Sequence, residues 1–421
     1  MPTLLQHLHQ QLAQSQPNRT HFLVALSGGI DSVVLLHLLS QLPLNLRAIH
    51  VHHGLSPNAD SWADFCEQLC KRLNIPFILQ KVSVQGSKGI EDAARHARYQ
   101  TIQAVRQADE TVITAHHQGD QVETFFLALK RGSGAKGLAA MPVVGFWQNM
   151  PLFRPLIAIK KNMIQAYAVQ HQLEWVEDES NQSEIYDRNF LRNAVLPTLN
   201  ERWPHFDEMV YRATENLYQQ QQLLDELLAE TLTQYINPTN YALNIADFSK
   251  FSLSKQQALL RLWLSQQQQM MPSQAQLLQI IKQMLMSKSD KQPEIQLGDK
   301  WLRRYQQQLF LTRTFEPTGH FHATLLANQT IELPDNIGIL VRKQAELRLE
   351  TDTDIKHYAL PSALANEELT VKLHHSGQVA QYVKPHREQM KKIWQAQQIP
   401  VWERSRTPLI FWQAQLVCVL S

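Results

Sequence analysis

The chain has 421 residues, too many for one ordinary hydrophobic core and enough for two or three domains, since single cores stop growing near ~250–300 residues. Its 40 Lys and Arg against 38 Asp and Glu leave a formal charge of +2, which excludes a globally basic surface and confines any nucleic-acid contact to local patches. The three cysteines, Cys66, Cys70 and Cys418, exclude a disulfide scaffold and a CxxC metal set, and the lack of a leader pattern or an apolar run of roughly 18 residues predicts a cytoplasmic protein.

From Phe22 to about Leu129, short β-prone runs alternate with helical patterns. FLVAL precedes DSVVLLHLLSQL, LRAIHVHH precedes a helix around Ala59 to Leu73, FILQKVSV precedes IEDAARHARYQTIQAVRQ, and TVITAHH precedes DQVETFFLALKR. This alternation predicts an α/β, Rossmann-like domain: a parallel sheet covered by helices on both faces, with ligands outside the carboxyl ends of the strands. Four strand ends carry loops of interest: SGGIDS, HVHHGLS, QGSKGIED and AHHQGDQVET. Ten of the 14 glycines fall between Gly28 and Gly145, marking that third as the chemical end.

The segment from Pro142 to Pro204 stays with this domain, which spans 1–204. From His205 to Met286 the chain turns Gln- and Leu-rich, as in QQQQLLDELLAETL and QALLRLWLSQQQQM. Leu and Trp interleaved at helical spacing predict packed helices in place of disordered Gln tracts, giving a helical domain over 205–315. Those leucines suit either a core or a homodimer face. Between Glu346 and Ser421, ELRLE, LTVKLHH, PLIFW and LVCVL predict a small α+β domain over 340–421. No internal repeat is visible.

SGGIDS, Ser27 to Ser32, joins a strand to a helix, so its main-chain N–H groups face a place suited to an anion. The chain contains neither GxxxxGK[ST] nor GxGxxG. Without the loop lysine that serves γ-phosphoryl transfer, the hydroxyls of Ser27 and Ser32 and the Asp31 carboxylate, a ligand for Mg²⁺, suit pyrophosphate as a leaving group with attack at the α-phosphate. The alternative is a plain turn with Asp31 or Ser27 capping the helix.

In AHHQGDQVETFF, Asp120 and Glu123 lie three apart at a helix start, above an apolar stripe of Val122, Phe125, Phe126 and Leu129. They read either as a capping box or as paired acceptors for an ammonium group or Mg²⁺. His50, His52, His53, His116 and His117 lack the spacing of a zinc site and are expected to line the nucleotide pocket. Arg95 and Arg98 share a helical face, either reaching phosphates or solvated. RGSGAKGLAAM, Arg131 to Met141, is expected to be a mobile loop over the site.

SGGIDS after a buried strand resembles the PP-loop of the N-type ATP pyrophosphatases. Together with HVHHGLS, GIEDAARHARY, TAHHQGDQVET, KRGSGAKGL, FRPL, EDESNQSEIYDRNFLRN, QPEIQLGDKWLRRY and KKIWQAQQIPVWERSRTPLIF, it resembles the bacterial tRNA(Ile)-lysidine synthase family over nearly the whole chain. That resemblance implies a ligase that uses ATP to adenylate C2 of the wobble cytidine in the CAU anticodon of tRNA(Ile). The ε-amine of free lysine then displaces AMP, giving lysidine and shifting codon reading from AUG to AUA. It further implies ATP binding by Ser27, Gly28, Gly29, Ile30, Asp31 and Ser32, with Asp31 holding Mg²⁺. Asp31, Asp120, Glu123 and Arg188 become the catalytic set, the acids orienting lysine and Arg188 meeting negative charge, with Arg192 a companion. Two positions depart from the family: Gly119 stands where Asp is common, and Ser56 where Arg is common. Candidate tRNA contacts are Arg303, Arg304, Lys384, His386, Arg387, Lys391 and Lys392. The competing readings are a tRNA thiolation enzyme drawing on Cys66 and Cys70, and a non-catalytic ATP-dependent tRNA binder.

Overall fold

The computed structural model describes residues 3–54, 56–83, 90–267, 269, 271–286, 292–319, 321–352, 354–383 and 386–421. Residues 85–89 of the QGSKGIED stretch, Val84 before it, Leu55 of HGLS and Lys384 lie outside the described residues. The chain divides into two units, Met1–Glu230 and Thr231–Ser421.

The first unit opens with helix α1 (Leu4–Ser15), capped by Thr3 and Gln6, and continues as strand β1 (His21–Ala25), α2 (Ile30–Ser40), β2 (Asn45–His52), α3 (Ala59–Arg72) and β3 (Phe77–Lys81). There follow α4 (Ile90–Val105), β4 (Thr111–Ile113), α5 (Gln118–Lys130), the short α6 (Ala135–Leu138), β5 (Val144–Trp147), β6 (Met150–Phe153) and α7 (Lys161–Gln170). The unit closes with α8 (Asp187–Phe190), a π-helical turn over Leu191–Val195, α9 (Leu196–Arg202) and most of α10 (Phe206–Thr233). The sheet runs β3-β2-β1-β4-β6-β5, parallel except for the β5–β6 hairpin.

The core strands carry apolar residues on both faces because helices cover both. Phe22 and Val24 face a core built with Val34, Leu35 and Leu38 of α2 and Ile164 of α7, whereas Leu23, Ile49 and Val112 pack with Tyr99 and Ile102 of α4. Successive residues of β1 thus serve opposite layers, as a pleated strand requires. The order reverses at β1 and β4, which are neighbours although β2 and β3 separate them in sequence. This reversal opens a crevice at their carboxyl ends. SGGIDS follows β1 and AHHQGD follows β4, so the topology brings both motifs to one place.

Helix α5 is held from behind by Val122, packed with Leu196 and Val210, while Phe125 and Phe126 are partly buried. Leu129 departs from the expected stripe and is exposed. The Gln-rich stretch is helical, yet Leu223, Leu224 and Leu227 of α10 face outward.

The second unit adds β7 (Leu243–Asn244), α11 (Leu253–Gln266), α12 (Gln274–Ile280), β8 (Glu294–Leu297), β9 (Lys300–Tyr305) and β10 (Gln308–Arg313), with an antiparallel sheet β7-β10-β9-β8 beside its helices. Next come β11 (His322–Leu325), β12 (Thr330–Leu333), β13 (Gly338–Lys343), β14 (Glu346–Glu350), β15 (Ile355–Ala359), β16 (Leu369–Lys372), β17 (Gln378–Gln381) and β18 (Arg387–Gln389). Helix α13 (Met390–Ala396) and the hairpin β19 (Leu409–Trp412) and β20 (Gln415–Val419) end the chain. These strands form two sheets, β12-β13-β14-β15 and β11-β16-β19-β20-β17-β18.

A local pattern recurs that the sequence does not announce. RYQQQLFL and RKQAELRL both fold as hairpins in which Gln306 or Gln344 takes positive φ, 54° and 50°, two residues after a buried arginine. Arg304 donates to the carbonyls of Met284 and Gln306 at 2.7 and 3.1 Å, and Arg342 to those of Leu325, Leu364 and Glu367 at 2.7, 2.6 and 2.8 Å. Each guanidinium satisfies carbonyls that would otherwise be buried unpaired.

Candidate active site

The loop after β1 is closed by its own hydroxyls. Ser32 Oγ donates to the Gly29 carbonyl at 2.9 Å and accepts from the N–H groups of Ser27 and Gly28, both at 3.2 Å, while Ser27 Oγ accepts from Gly29 N–H at 3.3 Å. Gly28 has φ of +90°, and a Cβ there would lie 2.8 Å from Val176 and 3.2 Å from the Cys66 sulfur. Only glycine meets both demands. Its carbonyl accepts from Val176 N–H at 3.0 Å, which ties the loop to the chain leading into EDESNQ. Below the loop, the buried His50 ring lies 2.9 Å from the Leu26 carbonyl, and burial lowers its pKa.

Gly29 is the N-cap of α2 and supplies no side-chain cap. Asp31 does not cap the helix either: both its oxygens bind the ammonium of Lys161, at 2.6 and 2.7 Å. Asp31 therefore has no capping role, whereas Ser27 Oγ, which accepts from Gly29 N–H, takes up one main-chain donor at the helix start.

At the neighbouring strand end, a capping box does form, one turn earlier than a pairing of Asp120 with Glu123. His117 is the N-cap and accepts from Gly119 N–H at 3.0 Å; Asp120 accepts from His117 N–H at 2.9 Å. A Cβ on Gly119 would approach the His117 ring to 2.9 Å, so glycine here lets the imidazole fold over the helix start. His117 Nε2 then lies 3.8 Å from Asp31 and 3.7 Å from Asp120, bridging the two loops.

Glu123, one turn on, is 2 % exposed and bound by Arg192 through two contacts of 2.6 and 3.0 Å. Arg188 stands 3.9 Å from Asp120 and 3.8 Å from Glu123, and donates to Thr124 at 3.4 Å. Both arginines come from the YDRNFLRN segment, which Asn189 anchors through the carbonyls of Ser180 and Ser183 at 2.8 and 3.0 Å. The π-helical turn carries Arg192, a local distortion often found where side chains must be aimed.

The two carboxylates are pushed apart electrostatically. Burial opposes ionisation of Asp120, but the imidazoles of His117 and His116, the His117 N–H and Arg188 outweigh it and hold the carboxyl at about 2. For Glu123 burial wins and raises the pKa against the pull of Arg192. Burial also drives the His116 imidazole down to about 3, leaving it neutral beside Thr114 Oγ1 at 2.8 Å.

Lys161 was not singled out by sequence, since it lies 130 residues from Asp31. The one available signal was negative: a phosphate loop without a lysine. Among the strand-end histidines, His117 alone is described as reaching Asp31; His52 pairs with Asp60 at 3.2 Å, and His53 accepts from Arg98 at 3.3 Å. The stretch from Arg131 to Met141 contains the turn α6, and Gln121 clamps Met141 with hydrogen bonds of 2.7 and 2.8 Å. Among the described residues, no three His, Cys, Asp or Glu side chains group as a metal site. Asp31 nevertheless fits Mg²⁺: it is a hard oxygen donor already holding a cation, the Lys161 ammonium, and Mg²⁺ commonly takes one or two carboxylates plus substrate phosphates.

In the second unit, Arg304 is a correction to the tRNA-facing candidates, because it is buried and spends its donors on main-chain carbonyls. Arg303 lies over the rings of Trp301, Phe315 and Trp402 and pairs with Glu294 at 3.4 Å. His386, Arg387, Lys391 and Lys392 are exposed. Met390, Ile393 and Trp394 face the core of α13, which turns both lysines outward. Lys391 borders a cavity of about 410 Å³ shared with His374, His375 and Arg404. Among the described residues, no helix is long and apolar enough to cross a membrane.

Three families match the chain: the PP-loop domain over residues 3–199, the TilS substrate binding domain over 243–310 and the TilS substrate C-terminal domain over 369–421. The tRNA(Ile)-lysidine synthase of Actinobacillus pleuropneumoniae serotype 3 is 54 % identical over 416 residues, covering 99 % of both chains. That of Haemophilus influenzae Rd is 44 % identical over 421 residues, covering 98 % of this chain and 96 % of its own. Among solved structures, the U34-tRNA thiolase NcsA of Methanococcus maripaludis matches 51 % of this chain and 77 % of its own, at 16 % identity and a TM-score of 0.41. On identity that extends over 99 % of its length, the chain belongs to the tRNA(Ile)-lysidine synthase family, ligases built on a PP-loop domain.

Proposed function

We propose that the protein joins free lysine to C2 of the wobble cytidine in the CAU anticodon of tRNA(Ile), through an adenylated cytidine. The cytidine O2 attacks the α-phosphate of ATP and pyrophosphate leaves; the lysine ε-amine then attacks C2, AMP leaves and the amine loses a proton. The observation that carries this reading is the balanced network across the β1–β4 crevice: Asp31, Asp120 and Glu123 against Lys161, Arg188 and Arg192. ATP brings negative charge and lysine positive charge, so each substrate can take over the partners that the other's ligands release. Ser27, Gly28, Gly29, Ile30 and Ser32 frame the triphosphate side, with Asp31 holding Mg²⁺, whose chemistry is to offset charge on the departing pyrophosphate. Asp120 and Glu123 orient the lysine ammonium groups, and Arg188 meets the charge developing at the adenylate.

The partition into 1–204, 205–315 and 340–421 is kept as the proposed division of labour, catalysis in the first part and tRNA contacts in the other two. Sulfur delivery fares poorly on chemical grounds, because Cys66 and Cys70 are buried and burial pushes both thiols up to about 12.

The test combines purified protein, a CAU-anticodon tRNA(Ile) transcript, Mg·ATP and labelled lysine. AMP release should require both tRNA and lysine, and Asp120→Asn should bind tRNA normally while turnover falls by at least 100-fold, on the order seen when a group that meets transition-state charge is removed. A folded preparation that transfers no lysine defeats the proposal.

A further inference from the structure

We propose that Lys161 is the cation the PP-loop lacks: it rests on Asp31 in the nucleotide-free protein and moves to the pyrophosphate oxygens when Mg·ATP arrives. This deepens the ligase reading above and rests on it for the identity of the leaving group.

Three observations converge. The segment Ser27–Ser32 contains hydroxyls, glycines and a carboxylate but no basic residue. Lys161 fills that gap from another element, with its ammonium on both Asp31 oxygens at 2.6 and 2.7 Å. Its root is fixed and its tip is not. Helix α7, which begins at Lys161, packs against α2 through Ile164 in the shared core and through Tyr167, whose hydroxyl meets His37 Nδ1 at 3.0 Å. The Lys161 side chain itself is 40 % exposed and can swing about a stem held by two packed helices.

Charge and chemistry decide where it swings. Asp31 is the hard oxygen donor of the loop, and a divalent ion entering on ATP competes for the same two oxygens. An ammonium displaced from them remains at the start of α7 beside the loop, where the oxygens of a pyrophosphate carried by the same divalent ion would accept from it. Lysine suits this exchange better than arginine because it is a compact point charge with rotatable donors and no fixed fork. The adjacent Lys160 is not equivalent, since it is engaged by Glu208. Arg192, the other cationic neighbour of Asp31, is tied to Glu123, and the His117 ring, 3.8 Å from Asp31, is occupied at the start of α5.

The test uses the full chain and two probes besides turnover. Inorganic pyrophosphate binding in the presence of Mg²⁺ is measured by calorimetry, and Mn²⁺ binding without nucleotide by electron paramagnetic resonance. Lys161→Met should weaken pyrophosphate at least tenfold and tighten Mn²⁺ several-fold, because the competitor for Asp31 is gone. Lys161→Arg, which keeps the charge, should recover part of the pyrophosphate affinity. Unchanged pyrophosphate affinity in a folded Lys161→Met protein overturns the assignment, as does unchanged or weaker Mn²⁺ binding. If the wild-type chain releases no lysine-dependent AMP while Lys161→Met still loses pyrophosphate, the ligase reading fails and the Lys161 assignment stands.

Discussion

Glu123 shows how one side chain can be held between two protonation states by its surroundings. Its burial favours the neutral acid, and the bidentate Arg192 contact favours the carboxylate. Arg192 answers in kind: burial lowers its pKa, but Glu123 more than offsets this and raises it. Only the carboxylate can hold an ammonium group or take its proton. Because the Glu123 pKa is raised, lysine transfer should be lost on acidification at a higher pH than an ordinary glutamate would dictate. Arg192→Met removes the force that opposes burial, so the acid limb of a single-turnover pH profile should move up by about one unit or more, roughly a tenfold loss of rate below it. A limb that stays in place or moves down would show that Glu123 is not the titrating group. Asp120, held at about 2, should contribute nothing to that limb.

The elements that sequence made most legible are those with the least choice. β1, β2 and β4 read as apolar runs because helices cover both faces of the sheet, and FLVAL, LRAIHVHH and TVITAHH fall on them. The C-terminal strands were harder: HATL and TIEL are four residues long, alternate buried with exposed positions, and went unread. Four hairpins elsewhere in the chain lack the usual Asn-Gly signal. Gln148, Gln306, Gln344 and Gln413 each take φ of 50–54° in the two-residue turns β5–β6, β9–β10, β13–β14 and β19–β20, where glycine or asparagine is favoured. A side chain at that φ costs about 1 kcal/mol relative to glycine, less what glycine loses in chain entropy. Gln344 is exposed, so Gln344→Gly should raise stability by a few tenths to about 1 kcal/mol in chemical denaturation, without change in lysine transfer. A loss of stability would mean that the Gln344 side chain supports the turn in some way its geometry does not reveal.

For the molecule as a whole, local motifs located the site's two edges but not its closure. SGGIDS and the Asp120–Glu123 pair were readable because each lies within a few consecutive residues; Lys161 reaches Asp31 only because β1 and β4 are neighbours and α7 returns beside α2. Contacts made by topology leave no trace in spacing along the chain. The same separation of local from global governs charge. A net +2 gives no long-range attraction to tRNA, so binding must come from patches whose phosphate contacts release counterions. Arg304 leaves that set by burial, whereas Lys391 and Lys392 remain, side by side on the outward face of α13. If both meet phosphates, Lys391→Ala with Lys392→Ala should lower tRNA affinity at physiological salt and reduce the slope of log K against log salt by roughly 1–2. AMP release at saturating tRNA should stay near wild type, because these lysines belong to the second unit and not to the Asp31 network. An unchanged slope would assign both lysines to solvent and leave Arg387, on the preceding strand β18, as the next basic side chain to test.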